Sequence, residues 1–239
     1  MSDLKLQERA VIEAVARHCS ATYQKSDNSS SACVSFAGKR IAVDVATLKS
    51  RTTTRASDTA PRLRFDKVAT RLMEHLQAAL GQTVPDGTIV LLAITAPIRV
   101  ASKTASALEA KIQTLLRCGS PRHDVKEAIL GNRVQIRFWK GQSGLSPKVI
   151  GFVHNSGSNP RQLLDMTCEF LDLANVQIGR RAPSLAPKRL GGRWLVVTTT
   201  RGISCLQALR SIHSQLRMPA AYKRVLMLFG DGRVGVLKE

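Results

Sequence analysis

Apolar residues recur at helical spacing in several stretches of the chain. The clearest is Phe65–Leu80, in which Val68, Leu72 and Leu76 form the face that we expect to be buried. Gly81 follows directly and is a favoured helix end. The same spacing, with turn residues at the ends, predicts five more helices, which are Leu4–Tyr23, Lys103–Arg117, Asp124–Leu130, Asn159–Ala174 and Ile203–Arg217.

Alternating or continuous apolar residues predict the strands. The segment ACVSFAGKRIAVDVATL predicts a β-hairpin that turns at Gly38 and pairs Cys33–Phe36 with Arg40–Thr47. A second hairpin is predicted from the apolar segments RVQIRFW and KVIGFVH, and a third, on an Asp-Gly turn, from Arg224 to Leu237. Thr88–Thr95 and Arg193–Thr200 are predicted as buried single strands.

The order of these elements predicts an α/β fold with a mixed β-sheet, β-hairpins and flanking helices. We expect the hairpin 33–47 to lie beside the strand Thr88–Thr95 in one sheet, covered by the helix Phe65–Leu80. Both halves run in the order hairpin, helix, strand, helix, although no repeat of residues underlies it. Two similar α/β halves, residues 1–120 and a basic second half at 121–239, are therefore the predicted domains.

Charge changes the picture, because the signs are segregated. Lys and Arg number 36 against 17 Asp and Glu, a formal net charge of +19. Lys39–Arg71 holds nine cations and three acids, and residues 173–230 hold ten cations and no acid. We therefore predict a positive surface, with the following candidate contacts: Arg51, Arg55, Arg62, Arg64, Arg180, Arg181, Lys188, Arg189 and Arg193.

A positive surface predicts a polyanionic partner. Of the 36 cations, 23 are arginine, whose planar fork suits phosphate oxygens. Such a surface binds nucleic acid mainly by releasing counterions, and we expect DNA rather than RNA. Aromatic residues make up only 4% of the chain, too few for a protein that stacks successive bases. A high arginine content with no dedicated ligand, and an acidic protein partner, remain alternatives.

Several familiar sites and locations are excluded. The chain lacks the GxxxxGK[ST], GxGxxG, HExxH and GxSxG motifs, and its five cysteines have no spacing typical of zinc sites or disulfide frameworks. The longest apolar run, from Ile89, has six residues, so we expect no membrane partner. The polar N-terminus resembles neither a secretory nor a transit peptide, which predicts a cytoplasmic location.

One arrangement suggests chemistry. A helix that carries Glu8 and Glu13 precedes the hairpin whose second strand lies in GKRIAVDVATLK, and a helix and a buried strand follow. Over residues 4–96 this order resembles the core of the PD-(D/E)xK, or restriction-endonuclease-like, nuclease superfamily. The resemblance implies that Asp44 and Glu13 hold Mg²⁺ and that Lys49 orients a metal-bound water. The chain departs from the family pattern at Ala46, where lysine is usual, and at Ser35, where an acid is usual.

Two functions follow as alternatives. In the first, the protein is a Mg²⁺-dependent nuclease with Asp44, Lys49 and Glu13 as catalytic residues. In the second, it is a non-enzymatic DNA- or RNA-binding or assembly accessory protein with the same basic surface and a degenerate core. The carboxylates around Asp44 distinguish them, because a metal site needs a second acid there. Without one, Asp44 is expected to be solvated or paired with an arginine such as Arg40.

Overall fold

A computed structural model describes residues 3–24, 32–49, 61–118, 124–143, 147–179, 191–216 and 222–239. In these ranges the helices are α1 (Asp3–His18), α2 (Lys67–Leu80), α3 (Ala101–Arg117), α4 (Pro160–Gly179) and α5 (Leu206–Gln215). The strands are β1 (Thr22–Gln24), β2 (Ala32–Phe36), β3 (Lys39–Thr47), β4 (Leu63–Arg64), β5 (Thr88–Thr95), β6 (Val125–Ile129), β7 (Asn132–Lys140), β8 (Val149–His154), β9 (Arg193–Thr198), β10 (Arg224–Leu228) and β11 (Val234–Lys238). None of the helices in the described ranges is long and apolar enough to cross a membrane.

The predicted α/β class with mixed sheets and flanking helices is confirmed. The chain forms two compact units, each with its own mixed sheet. Unit 1 comprises residues 1–58, 176–206 and 218–239, and unit 2 comprises residues 59–175 and 207–217. Each unit is thus assembled from separate stretches of chain.

The six-stranded sheet of unit 1 has the order β1-β2-β3-β9-β10-β11. The first three strands form an antiparallel meander, whereas β3, β9 and β10 run parallel. Helix α1 covers one face, where Ile12 and Val15 pack with Ile41, Val43 and Trp194 in a buried core. Because side chains alternate along a strand, Ala42 and Asp44 of β3 lie on the opposite face from Ile41 and Val43.

The five-stranded sheet of unit 2 has the order β4-β8-β5-β7-β6. Helices α2 and α3 cover one face through Leu72, Leu76, Leu108 and Ile112, all fully or almost fully buried. The adjacent positions of β7 bond to α4, since Trp139 Nε1 donates to Asp172 Oδ1 over 2.9 Å. This helix therefore covers the other face of the sheet.

The predicted arrangement of strands is wrong in two places. The hairpin β2–β3 does not lie beside β5, because β3 pairs with β9 and β5 lies between β8 and β7 in the other sheet. The strands β7 and β8 do not form a hairpin with each other either. Both flank β5, β7 antiparallel and β8 parallel to it, because a buried apolar strand can accept partners on both edges.

Three local predictions are also corrected. Residues Asp124–Leu130 are not a helix, because Val125–Ile129 is strand β6 and pairs with β7. The first helix ends at His18 rather than Tyr23, and β1 begins at Thr22. On α2 the buried face includes Leu72 and Leu76 as predicted, but the side chain of Val68 is 47% exposed. The C-terminal hairpin is confirmed as β10–β11.

Candidate nucleic-acid interface

Cations gather at one edge of the six-stranded sheet, where three parallel strands begin. The strands β3, β9 and β10 start at Lys39, Arg193 and Arg224 and run side by side in the same direction. The antiparallel strand β11 ends at this edge, with Lys238 opposite Val225. We call the following six residues the basic edge: Lys39, Arg40, Arg193, Lys223, Arg224 and Lys238.

Backbone hydrogen bonds fix the strand starts at this edge. The amide of Gly191 donates to the Arg40 carbonyl over 2.8 Å, and the amide of Lys223 donates to the Arg193 carbonyl over 2.8 Å. The chain that enters β9 passes so close to Lys39 that a Cβ on Gly191 would lie 2.8 Å from the Lys39 Cβ. Only glycine fits there, so Gly191 lets the β9 cations reach the β3 cations.

The basic edge combines exposed and fixed cations. Lys39, Arg40 and Lys223 are exposed, so their charges are available to a partner. The guanidinium of Arg224 lies 4.9 Å from the ring centre of Phe36 and 5.2 Å from that of Trp194. These cation–π contacts hold Arg224 in place, which lowers the entropy that it loses when it binds a phosphate.

Asp44 lies among these cations and is held by two neighbours. Its Oδ2 accepts a hydrogen bond from the Tyr222 hydroxyl over 3.0 Å and lies 3.0 Å from Arg193 Nε. The Asp44 and Arg193 side chains are 26% and 22% exposed. Asp44 is therefore paired with an arginine as one alternative expected, but the partner is Arg193 and not Arg40.

The structure does not bring the three predicted catalytic residues together. Glu13 lies on α1, the helix that covers the sheet face opposite Asp44, and it pairs with Arg9 over 2.7 Å. Lys49 is exposed and lies two residues beyond the end of β3. In the described ranges no group of three or more His, Cys, Asp or Glu side chains could hold a metal ion. Asp44 and Glu13 therefore do not fit a shared Mg²⁺ ion.

The other predicted cations are distributed as follows. Arg62 and Arg64 are exposed in unit 2, where Arg64 pairs with Asp66 over 3.0 Å. Arg193 belongs to the basic edge. The remaining candidates lie outside the described residues, and they are Arg51, Arg55, Arg180, Arg181, Lys188 and Arg189.

Sequence reasoning missed most members of the basic edge. Four of them, Lys39, Arg40, Lys223 and Arg224, lie in the two basic stretches, which was the available signal. Pairing of β3 with β9 joins these stretches, and the sequence gives no sign of that pairing. Tyr222 was missed for the same reason, because it contacts Asp44 across a separation of 178 residues.

A second charged cluster lies inside unit 2 and is internally neutralised. Arg137 pairs through Nε and Nη2 with Asp124 and, over 2.6 Å, through Nη1 with Asp165. Burial disfavours the charged guanidinium, but the bonds to both carboxylates outweigh it and raise the pKa of Arg137. Burial likewise opposes the charge on Asp124, yet Arg137 lowers the pKa of that carboxyl. These ions hold β7 against α4.

Comparison with protein-family models, curated proteins and solved structures found no match to this chain. The resemblance to restriction-endonuclease-like enzymes thus stays a prediction. Function has to be argued from the geometry and charge of the described residues. Among these, the basic edge is the arrangement that combines exposed charge with a fixed backbone.

Proposed function

We propose that the protein binds nucleic acid, DNA in preference to RNA, through the basic edge of unit 1. The observation that carries the proposal is the convergence of six cations from four adjacent strands, β3, β9, β10 and β11, at one end of the sheet. The only carboxylate described above at this edge, Asp44, is already paired. The surplus positive charge therefore faces a partner.

The dimensions suit a phosphate backbone. Adjacent strands are about 4.8 Å apart, so four strands present a row of cations roughly 14 Å long. Phosphates of one DNA strand rise about 3.4 Å per nucleotide along the helix axis, so the row spans about four nucleotides. Neutralising these phosphates releases condensed counterions, which supplies the binding free energy and makes it depend on salt.

This proposal concerns binding without cleavage at Asp44. A nuclease is the alternative, but Asp44 contacts a guanidinium and Glu13 lies on the other side of the sheet. An assembly factor that contacts an acidic protein is the second alternative. We place the activity in the cytoplasm, since all five cysteines are thiols, as is usual in reducing compartments.

The proposal is tested by fluorescence anisotropy with duplex DNA, single-stranded DNA, RNA and inorganic polyphosphate at low salt. We expect duplex DNA to bind best and Lys39→Ala/Lys223→Ala to weaken its binding about tenfold, as the loss of two phosphate contacts requires. The matched control, Lys103→Ala/Arg117→Ala, removes two exposed cations of α3 in unit 2 and should stay within about twofold of wild type.

The same samples separate the alternatives. Equal loss in both double variants would mean that net charge, and not the basic edge, attracts the polyanion. Cleavage of the DNA after Mg²⁺ is added, abolished in Asp44→Asn, would favour the nuclease. Absence of binding to every nucleic acid would contradict the proposal and leave the assembly factor as the better account.

A further inference from the structure

Asp44 has an unusual position for a carboxylate. It lies two positions along the same strand face from Ala42, which pairs directly with Arg193 on β9. A negative charge beside a phosphate-binding surface repels the phosphates, so by Coulomb attraction alone Asp44 should weaken binding. Its two contacts suggest what it contributes instead.

Asp44 contacts Arg193 at one part of the guanidinium. The Oδ2 atom lies 3.0 Å from Nε, the nitrogen nearest the aliphatic chain. A guanidinium carries five N–H groups in a planar fork, so pairing at Nε leaves terminal N–H groups for another acceptor. The Tyr222 hydroxyl donates to the same Oδ2 atom and holds the carboxylate, and Tyr222 is itself only 6% exposed.

We infer, on the basis of the proposed function, that Asp44 is a positioning residue that orients Arg193 toward a backbone phosphate. Tyr222 fixes Asp44, Asp44 fixes Nε of Arg193, and the outer edge of the guanidinium then receives the phosphate oxygens in a charge-assisted pair of hydrogen bonds. The resemblance to nucleases assigned Asp44 to metal binding. Its contacts assign it to the recognition of phosphate.

The sign of one change separates positioning from simple repulsion. Asp44→Asn has nearly the same shape and removes one negative charge. If Asp44 only repels phosphate or competes for Arg193, the variant binds DNA more tightly than wild type. If Asp44 positions Arg193, the variant binds more weakly, by about fivefold, although its net charge is more positive.

A double-mutant cycle ties the effect to Arg193. Arg193→Lys keeps the positive charge but lacks the planar fork, so it should lose about as much affinity as Asp44→Asn. The double variant should bind no more weakly than Arg193→Lys alone, because Asp44 then has no fork left to orient. Tyr222→Phe keeps both charges and should show a smaller loss of the same sign.

The experiment measures binding of duplex DNA by anisotropy for these variants and wild type, with thermal melting of each free protein. Wild type that does not bind DNA would overturn the proposed function, and this inference with it. Wild type that binds while Asp44→Asn binds equally or more tightly would overturn the inference alone. Additive losses in the double variant would also overturn it. If Asp44→Asn does not fold, Tyr222→Phe decides, and unchanged affinity there contradicts the inference.

Discussion

Individual side chains determine how the basic edge is held, and Arg224 shows this most directly. Its guanidinium stacks on both Phe36 and Trp194, whose rings meet edge to face at 5.4 Å. We expect Arg224→Met, which keeps the apolar stem and loses the charge, to lower the free energy of unfolding by about 0.5–1 kcal/mol. Urea denaturation followed by tryptophan fluorescence measures this. A variant as stable as wild type would show that the stacking contributes nothing.

His154 predicts a dependence of stability on pH. It is 2% exposed, and its Nδ1 lies 2.9 Å from the carbonyl oxygen of Asn155. Burial lowers the pKa of His154, and the charge of Arg133 lowers it further, although the bond to Asn155 opposes both. The folded state therefore binds fewer protons than the unfolded state as the pH falls below about 6.5, which favours unfolding in acid.

Thermal melting at pH 7 and pH 5 checks this prediction. We expect the melting temperature to fall at pH 5 and to fall less in His154→Gln, which cannot acquire the charge. NMR titration of the His154 ring should place its midpoint below about 6.5. A midpoint at or above that value would contradict the assignment.

At the scale of elements, helix α2 separates what the sequence predicts well from what it does not. Apolar spacing predicted the helix and the burial of Leu72 and Leu76. It did not predict that Val68, on the same face one turn earlier, is 47% exposed, because the extent of a neighbouring sheet is not written in the helix. Periodicity gives the direction of a face but not where its cover ends.

This difference gives a stability prediction with an internal control. Leu76→Ala removes a fully buried side chain and should lower the free energy of unfolding by about 2–5 kcal/mol. Val68→Ala, on the same helix, should change it by less than about 0.5 kcal/mol. Chemical denaturation of the two variants measures both values. Similar losses would mean that Val68 is buried in solution.

Strand β6 shows why the other local prediction failed. Its residues Val-Lys-Glu-Ala-Ile include good helix formers, and the chain before it offers a helix start. The turn to β7 instead uses Leu130 and Gly131, both with positive φ, of 48° and 76°. Leu-Gly is a rare pair at such a turn, so the usual Asn-Gly or Asp-Gly signal of a hairpin was missing. Pairing with β7 then overrides the local helix preference.

At the scale of the whole molecule, the units are defined by pairings between distant segments. The sheet of unit 1 joins β3 to β9, so residues from both predicted halves, 1–120 and 121–239, share one sheet. Reading along the chain groups neighbouring elements, and parallel pairing depends on register and edge contacts that a single sequence does not reveal. The candidate site shares this limit, since charge segregation predicted a basic surface but not which cations meet.

The salt dependence of DNA binding tests the central claim most directly. Log Kobs for duplex DNA is measured against log salt for wild type, Lys39→Ala/Lys223→Ala and the control Lys103→Ala/Arg117→Ala. If the basic edge contacts phosphates, the edge variant should have a slope shallower by about 1.4–1.8, the value for two lost contacts. The control should stay parallel to wild type. An edge variant parallel to wild type, or wild-type binding that does not respond to salt, would contradict the account.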